Sequence, residues 1–154
     1  MNARLRRLSL AILATAAVAG GAAIAGSAED AARAPASRNL SYGHMGPLTG
    51  SSAVLGQEQL KWHRFALATF NKQRGTRFRL VEGDDQLNAA QGATVAQRFA
   101  SDSSILAVVG PAGSQVVRSS GEIFEQASMA MVSMSATDSR LSDGDFPTFF
   151  RVLQ

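Results

Sequence analysis

The chain has 154 residues, about the size of one domain, with fifteen Lys and Arg against twelve Asp and Glu, no cysteine and a formal charge of +3. Arg4, Arg6 and Arg7 stand at the extreme N-terminus and account for the whole excess, so the remainder is charge-balanced and carries no run of basic residues interleaved with aromatics. This excludes a basic footprint for nucleic acid, and the lack of cysteine excludes a disulfide framework, a thiolate metal site and a lipid-modified cysteine.

Met1 to Arg7 is basic, Leu8 to Ala25 is uncharged and mostly Ala, Leu, Ile and Val, and Gly26-Ser27-Ala28 offers small residues to a signal peptidase. The pattern predicts a signal peptide over residues 1–28 and hence an exported protein, periplasmic or extracellular and associated with the cell surface. An uncleaved anchor is the alternative, because the uncharged run almost spans a bilayer; its Ala/Gly-rich, weakly apolar character favours cleavage. Residues 29–38 are small and polar and read as a flexible tether, with a second possible cleavage point after Ala36.

From there the sequence alternates strand and helix. Asn39 to Met45 reads as a first strand, followed by the loop Gly46-Pro47-Leu48-Thr49-Gly50-Ser51-Ser52. A helix from Ala53 to Lys72 places Leu60, Trp62, Phe65, Ala66, Thr69 and Phe70 at three- and four-residue spacing, and Gly75 stops it after a basic last turn. Phe78 to Val81 is a second strand ending in Glu82-Gly83-Asp84-Asp85, where the acids are expected to cap the next helix. That helix, Asn88 to Ala100, lines up Ala89, Ala93, Val95, Ala96 and Phe99, with small residues suited to close approach to a sheet.

Ile105-Leu106-Ala107-Val108-Val109 is an aliphatic run without alternation, the mark of a strand buried on both faces of a parallel sheet. It stops at Gly110-Pro111-Ala112-Gly113, and a third helix from Ser114 to Gln126 follows, with Ser114 as its expected N-cap. Met129 to Val132 reads as a fourth strand, Ser133 to Ser139 as a second hydroxyl-rich loop, and Thr148 to Leu153 as a fifth strand. The alternation implies an α/β fold with a doubly wound parallel sheet, whose ligands sit at the carboxyl ends of the strands. Three loops rich in Gly, Ser and Thr then share one rim: 46–53, 110–114 and 133–139.

Hydroxyls and backbone amides dominate that rim, which suits a small zwitterion. Gly113 lets the backbone approach a ligand, Ser114 and the amides behind it would take a carboxylate, and Thr137 with the carbonyls around Ser135 and Ala136 would take an ammonium. The same residues serve equally well to cap and shape turns. No P-loop, Gly-x-Gly-x-x-Gly or Gly-x-Ser-x-Gly motif is present, and neither His44 nor His63 has a recognisable nucleophile nearby. Met129 and Met131 read as core and Met134 as a turn residue rather than metal ligands. An enzyme, a cofactor and a metal are therefore not expected.

The ordered set Gly46-Pro-Leu-Thr-Gly…Gly56, Glu82-Gly-Asp-Asp, Val108-Val-Gly-Pro-Ala-Gly-Ser-Gln-Val-Val and Ser133-Met-Ser-Ala-Thr resembles the type I periplasmic binding proteins. Within them it is similar to the leucine/isoleucine/valine-binding branch, the solute-binding subunits of branched-chain amino acid ABC transporters, from Leu40 to Gln154. The resemblance implies two α/β lobes that close on a ligand, with the clamp in the first lobe. It makes Ser114 the carboxylate-binding serine, Ser135 the residue whose carbonyl meets the ammonium, and Thr137 the threonine that touches both. Leu55 falls where many members carry an aromatic pocket residue, which alters the expected side-chain preference. Members are more than twice as long as this sequence, so residues 39–154 are expected to be a truncated N-terminal lobe. The implied partners are a small amino acid or amide ligand and permease subunits, with no nucleic acid, the complete protein being a monomer. An extracellular sensor for amides, urea or amino acids is the alternative on the same fold.

Overall fold

The computed structural model describes residues 39–152. The expected signal peptide and tether, and residues Leu153 and Gln154, lie outside the described residues. Five strands, β1 (Ser41–Gly46), β2 (Arg79–Asp84), β3 (Ile105–Val109), β4 (Ala130–Ser133) and β5 (Phe149–Arg151), alternate with α1 (Ala53–Arg74), α2 (Ala89–Ser101) and α3 (Ser114–Gln126). A 3₁₀ turn, Ser139–Ser142, precedes β5. The strands form one sheet in the order β2-β1-β3-β4-β5, every pair parallel. The fold is thus the expected α/β doubly wound sheet. β2 runs on through Glu82-Gly83-Asp84, which pair with His44, Met45 and Gly46.

Chain direction decides which helix meets which face. β1 steps outward to β2 through α1, and α2 brings the chain back across β1 to β3, so right-handed crossovers place α1 opposite α2 and α3. Side-chain contacts agree. His44 and Glu82 meet His63 and Arg64 of α1, while a Cβ at Gly43 or Gly83 would run into Phe99 of α2 at 2.8 Å. Phe99, Met45, Val108, Val116, Val117, Phe124 and Met131 are fully buried on the α2/α3 side. Met129 and Met131 are core, as their place in an apolar strand suggests. Gly92 has its own reason: a Cβ there would stand 2.4 Å from Val116 and 3.4 Å from Met45, so the small residue brings α2 against α3 as well as against the sheet.

Helix ends follow local chemistry. Gly75 closes α1 in the left-handed region at φ 65°, and its N–H donates to the Asn71 carbonyl. α2 is capped by Asn88, whose side chain accepts from the amides of Ala90 and Gln91, so the expected capping by Asp84 and Asp85 does not occur. Asn88→Ala is expected to cost about 1 kcal/mol, read as a lower urea midpoint at unchanged slope.

Two expectations fail on the α1 side. β3 is not buried on both faces: Ile105 and Val108 are buried, but Leu106 is 43% exposed and Val109 only half-buried. Val109 instead lines a shallow groove of about 290 Å³ with Tyr42, His63, Ala66, Leu67 and Phe70. Nor does α1 bury its aromatics: Trp62 and Phe65 are 62% and 65% exposed and meet each other edge to face. The stripe that turns inward is Gly56, Gln59, Leu60, His63 and Leu67, spaced by three and four and including two polar residues.

Candidate functional site

The topological switch lies between β1 and β3, and the loops after β1, β3 and β4 meet at the carboxyl ends of these strands. Hydroxyls stitch the last two loops together. Ser133 Oγ donates to the Pro111 carbonyl at 2.7 Å and accepts from the Ala136 amide at 3.0 Å. Ser135 Oγ donates to the Ala112 carbonyl at 3.1 Å, and Ser114 Oγ accepts from the Asp138 amide at 3.2 Å. The loop after β1 is held differently: the carboxylate of Asp84 accepts from the amides of Leu48 and Thr49 at 2.8 and 3.2 Å and from the Thr49 hydroxyl.

This geometry assigns each expected site residue a place. Ser114 is the first residue of α3 and not its N-cap, which is Gly113 without a side-chain bond; the Ser114 oxygen is turned to the Asp138 amide instead. Gly113 admits Leu87, which a Cβ would meet at 2.8 Å. Ser135 is half-buried, and its hydroxyl is occupied on both sides, donating to Ala112 and accepting from the Gln59 amide at 2.9 Å. Ala136 is buried, its amide held by Ser133 and its carbonyl accepting from Arg151 at 3.4 Å. Thr137 is exposed on the rim between Ala136 and Asp138. Leu55, 43% exposed, stands in the first turn of α1. Ser114, Ser135 and Thr137 thus sit on two loops joined by hydrogen bonds, whereas Leu55 comes from a third element.

Asp138 anchors the second loop. Its carboxylate pairs with Arg118 of α3 and, at 3.0 Å, with Arg140, while its carbonyl accepts from Arg151 at 3.0 Å. Arg140 and Arg118 together hold its carboxyl well below the usual carboxylate range. Gln59 of α1, Pro111 and Ala112 of the loop after β3, Ser114 and Arg118 of α3 and Arg151 of β5 therefore bear on the position of Thr137 or its neighbours only through the fold, since nothing local in Ser133 to Asp138 calls for them.

Buried polar residues beneath the rim were not expected. His44 is fully buried, with its Nδ1 3.3 Å from Nδ1 of His63, and Asp85 is fully buried with Oδ1 accepting from the Leu87 amide at 2.8 Å. The only sequence signal for them is a polar residue within a strand or at its end. Burial, helped by His63, pushes the His44 imidazole down to about 4, and burial pushes the Asp85 carboxyl up to about 6. Between about pH 4 and 6 both are neutral where their solvated counterparts would be charged. Among the described residues no group of three His, Cys, Asp or Glu could hold a metal ion.

These two groups oppose each other in pH. A carboxyl raised from 3.8 to about 6 ionises more readily in the unfolded chain, so it removes stability as pH rises through that window. An imidazole lowered from 6.5 to about 4 protonates more readily in the unfolded chain, so it removes stability as pH falls through nearly the same window. At about 1.4 kcal/mol per unit the two effects are similar in size and offset. Asp85→Asn keeps an acceptor for the Leu87 amide and deletes one arm. The expected result is a gain of about 2 kcal/mol near neutral pH and a stability that then falls steeply from pH 6.5 towards 4. Urea unfolding across that range checks it; a profile parallel to that of the parent contradicts it.

The family model of periplasmic binding proteins matches residues 40–154. The Leu/Ile/Val-binding protein homolog 2 of Brucella abortus strain 2308 is 29% identical over 108 residues, covering 68% of this chain and 29% of that protein. Among solved structures, the branched-chain amino acid transporter substrate binding protein of Streptococcus pneumoniae in complex with isoleucine is similar at 26% identity and TM-score 0.68, over 73% of this chain and 33% of that one. The ABC transporter substrate-binding protein of Desulfitobacterium hafniense in complex with leucine follows at 27% identity and TM-score 0.60, over 73% of this chain and 33% of that one. The chain therefore spans about a third of the length of the relatives it matches.

Proposed function

We propose a function from one premise: the chain belongs to the periplasmic binding protein family. It is the clamp-bearing lobe of an extracytoplasmic solute-binding protein, which captures a branched-chain amino acid or a similar small amino acid or amide and delivers it to the permease of an ABC transporter. The observation that carries this reading is the stitched pair of loops after β3 and β4, which brings Ser114, Ser135 and Thr137 to one rim above the switch point. On this reading the Ser114 hydroxyl, whose oxygen already accepts the Asp138 amide, turns its proton towards the ligand carboxylate beside the first amides of α3. Thr137 Oγ1, exposed at the rim, bridges carboxylate and ammonium, and the Ser135 carbonyl accepts from the ammonium. Gly113 and Ala136 shape the loops, and Leu55 forms part of the wall facing the ligand side chain.

The relatives bound to isoleucine and leucine suggest which ligands to try first. Isothermal titration of the full chain with leucine, isoleucine, valine, alanine and acetamide is expected to give saturable binding of at least one aliphatic amino acid. Binding of none of the amino acids, by a folded protein, overturns the reading, and binding of acetamide alone moves the ligand class from amino acids to amides.

A further inference from the structure

Gln59 lies on the inward stripe of α1 and is 8% exposed, an unusual place for a long polar side chain. Its Nε2 donates to Ser135 Oγ at 2.9 Å, across 76 positions of sequence. The direction of that bond is set by chemistry, because the Ser135 hydroxyl spends its single proton on the Ala112 carbonyl and can only accept from a third group. Ser135 Oγ is therefore the point at which three elements meet: α1 through Gln59, the loop after β3 through Ala112, and the loop after β4.

The other end of the carboxamide is placed as consistently. With Nε2 on Ser135, Oε1 lies at the carboxyl end of β1, where it and His44 Nε2 are both buried without a partner; the two atoms stand 3.9 and 3.5 Å from the point where a Cβ on Gly46 would be. Reversing the amide would aim Oε1 at a hydroxyl whose proton is already committed to Ala112, so the observed orientation is the one that the hydrogen-bond chemistry supports.

We infer that Gln59 is a positioning residue of the clamp: from α1 it straps the Ser135 hydroxyl, and so holds the Ser135 carbonyl at the angle that accepts a ligand ammonium. This rests on the solute-binding function proposed above. Two consequences follow from the hydrogen-bond inventory. The Ser135 hydroxyl has its one proton committed to Ala112 and so cannot donate to a ligand carboxylate, which leaves the Ser135 carbonyl as the group offered to the ammonium. And because the strap acts on the Ser135 carbonyl, which meets only the ammonium, it governs the preference for amino acids over plain carboxylates rather than carboxylate binding itself, which rests on Ser114, the first amides of α3 and Thr137.

Gln59→Met keeps the length and volume of the side chain and removes its donor, while Ser135→Ala removes the same bond from its other end together with the bond to Ala112. In the full chain Gln59→Met is expected to speed hydrogen exchange of the Ser135 and Ala136 amides by about tenfold, the loss of one hydrogen bond's worth of restraint, with the urea midpoint near that of the parent, and Ser135→Ala, which also loses the bond to Ala112, by at least as much. Each is expected to weaken leucine binding about tenfold while changing the binding of 4-methylpentanoate, which lacks the ammonium, less than twofold. The double variant should be no worse than Ser135→Ala alone, which already lacks the Gln59 bond together with the bond to Ala112. Unchanged loop exchange, or equal loss for both ligands, overturns the inference. If the parent binds neither ligand the solute-binding function fails, and the exchange rates still decide whether Gln59 straps the loop.

Discussion

Ser114→Ala and Thr137→Ala are each expected to weaken binding of an aliphatic amino acid by ten- to a hundredfold in the full chain, with little change in unfolding midpoint. The size follows from the interaction lost. A hydrogen bond to a charged partner contributes about 1.5–3 kcal/mol, and about 1.4 kcal/mol is tenfold in affinity. Fold stability is largely spared because Thr137 is exposed and Ser114 gives up only its acceptance of the Asp138 amide, while Ser133 and Ser135 keep the two loops stitched. Titration calorimetry with thermal unfolding of the same samples separates the two effects. Thr137→Ser, which keeps the hydroxyl, should stay close to the parent. Affinity unchanged in both alanine variants would sink the clamp assignment.

Gly110→Ala is expected to have the largest effect on folding, about 4 kcal/mol or more. Gly110 follows the last residue of β3 at φ 113°, a conformation that residues with a Cβ rarely adopt, and a Cβ would stand 1.9 Å from the Met45 carbonyl oxygen. That oxygen belongs to the backbone of the interior strand β1, whose neighbours on both sides fix its position, so no side-chain rotation relieves the clash. Gly144 is the control. It has a similar φ of 100° but open space around its Cβ position, so Gly144→Ala carries backbone strain alone. It should cost about 1–3 kcal/mol. Chemical denaturation of both variants tests the argument; equal losses would mean that the close approach to Met45 contributes nothing.

Much of the fold was legible because its signals are local. The aliphatic run Ile105 to Val109, the helix Ser114 to Gln126 and the stop at Gly75 depend on residues within a turn or two of each other, and the structure has them at those places. The signals failed where local spacing admitted two answers. Trp62, Phe65 and Phe70 lie at helical spacing and would suit a core, yet the stripe through Gln59, Leu60 and His63 is the one that meets β1. Asp84 and Asp85 stand where a cap is usually found, yet Asn88 is nearer to the first turn, and the two acids instead hold the Thr49 loop and the Leu87 turn.

The site divides in the same way. Hydroxyls after strand ends pointed to Ser114, Ser135 and Thr137, since a parallel sheet places all such loops on one rim. Their hydrogen-bond partners were not visible: Gln59 is 76 positions from Ser135, and Ser114 is 24 from Asp138. By itself, then, the sequence determined the alternation of strands and helices, the turns that end them and the rim on which the hydroxyls gather, because periodicity and turn chemistry are properties of neighbouring residues. The tertiary structure alone decided the strand order, the face that α1 turns inward, the buried His44, Asp85 and Gln59, and which lone pairs on Ser135 and Ser114 are already spent. Those depend on residues brought together from distant segments, and a hydrogen bond of that kind exists only once the sheet has set the distance between them.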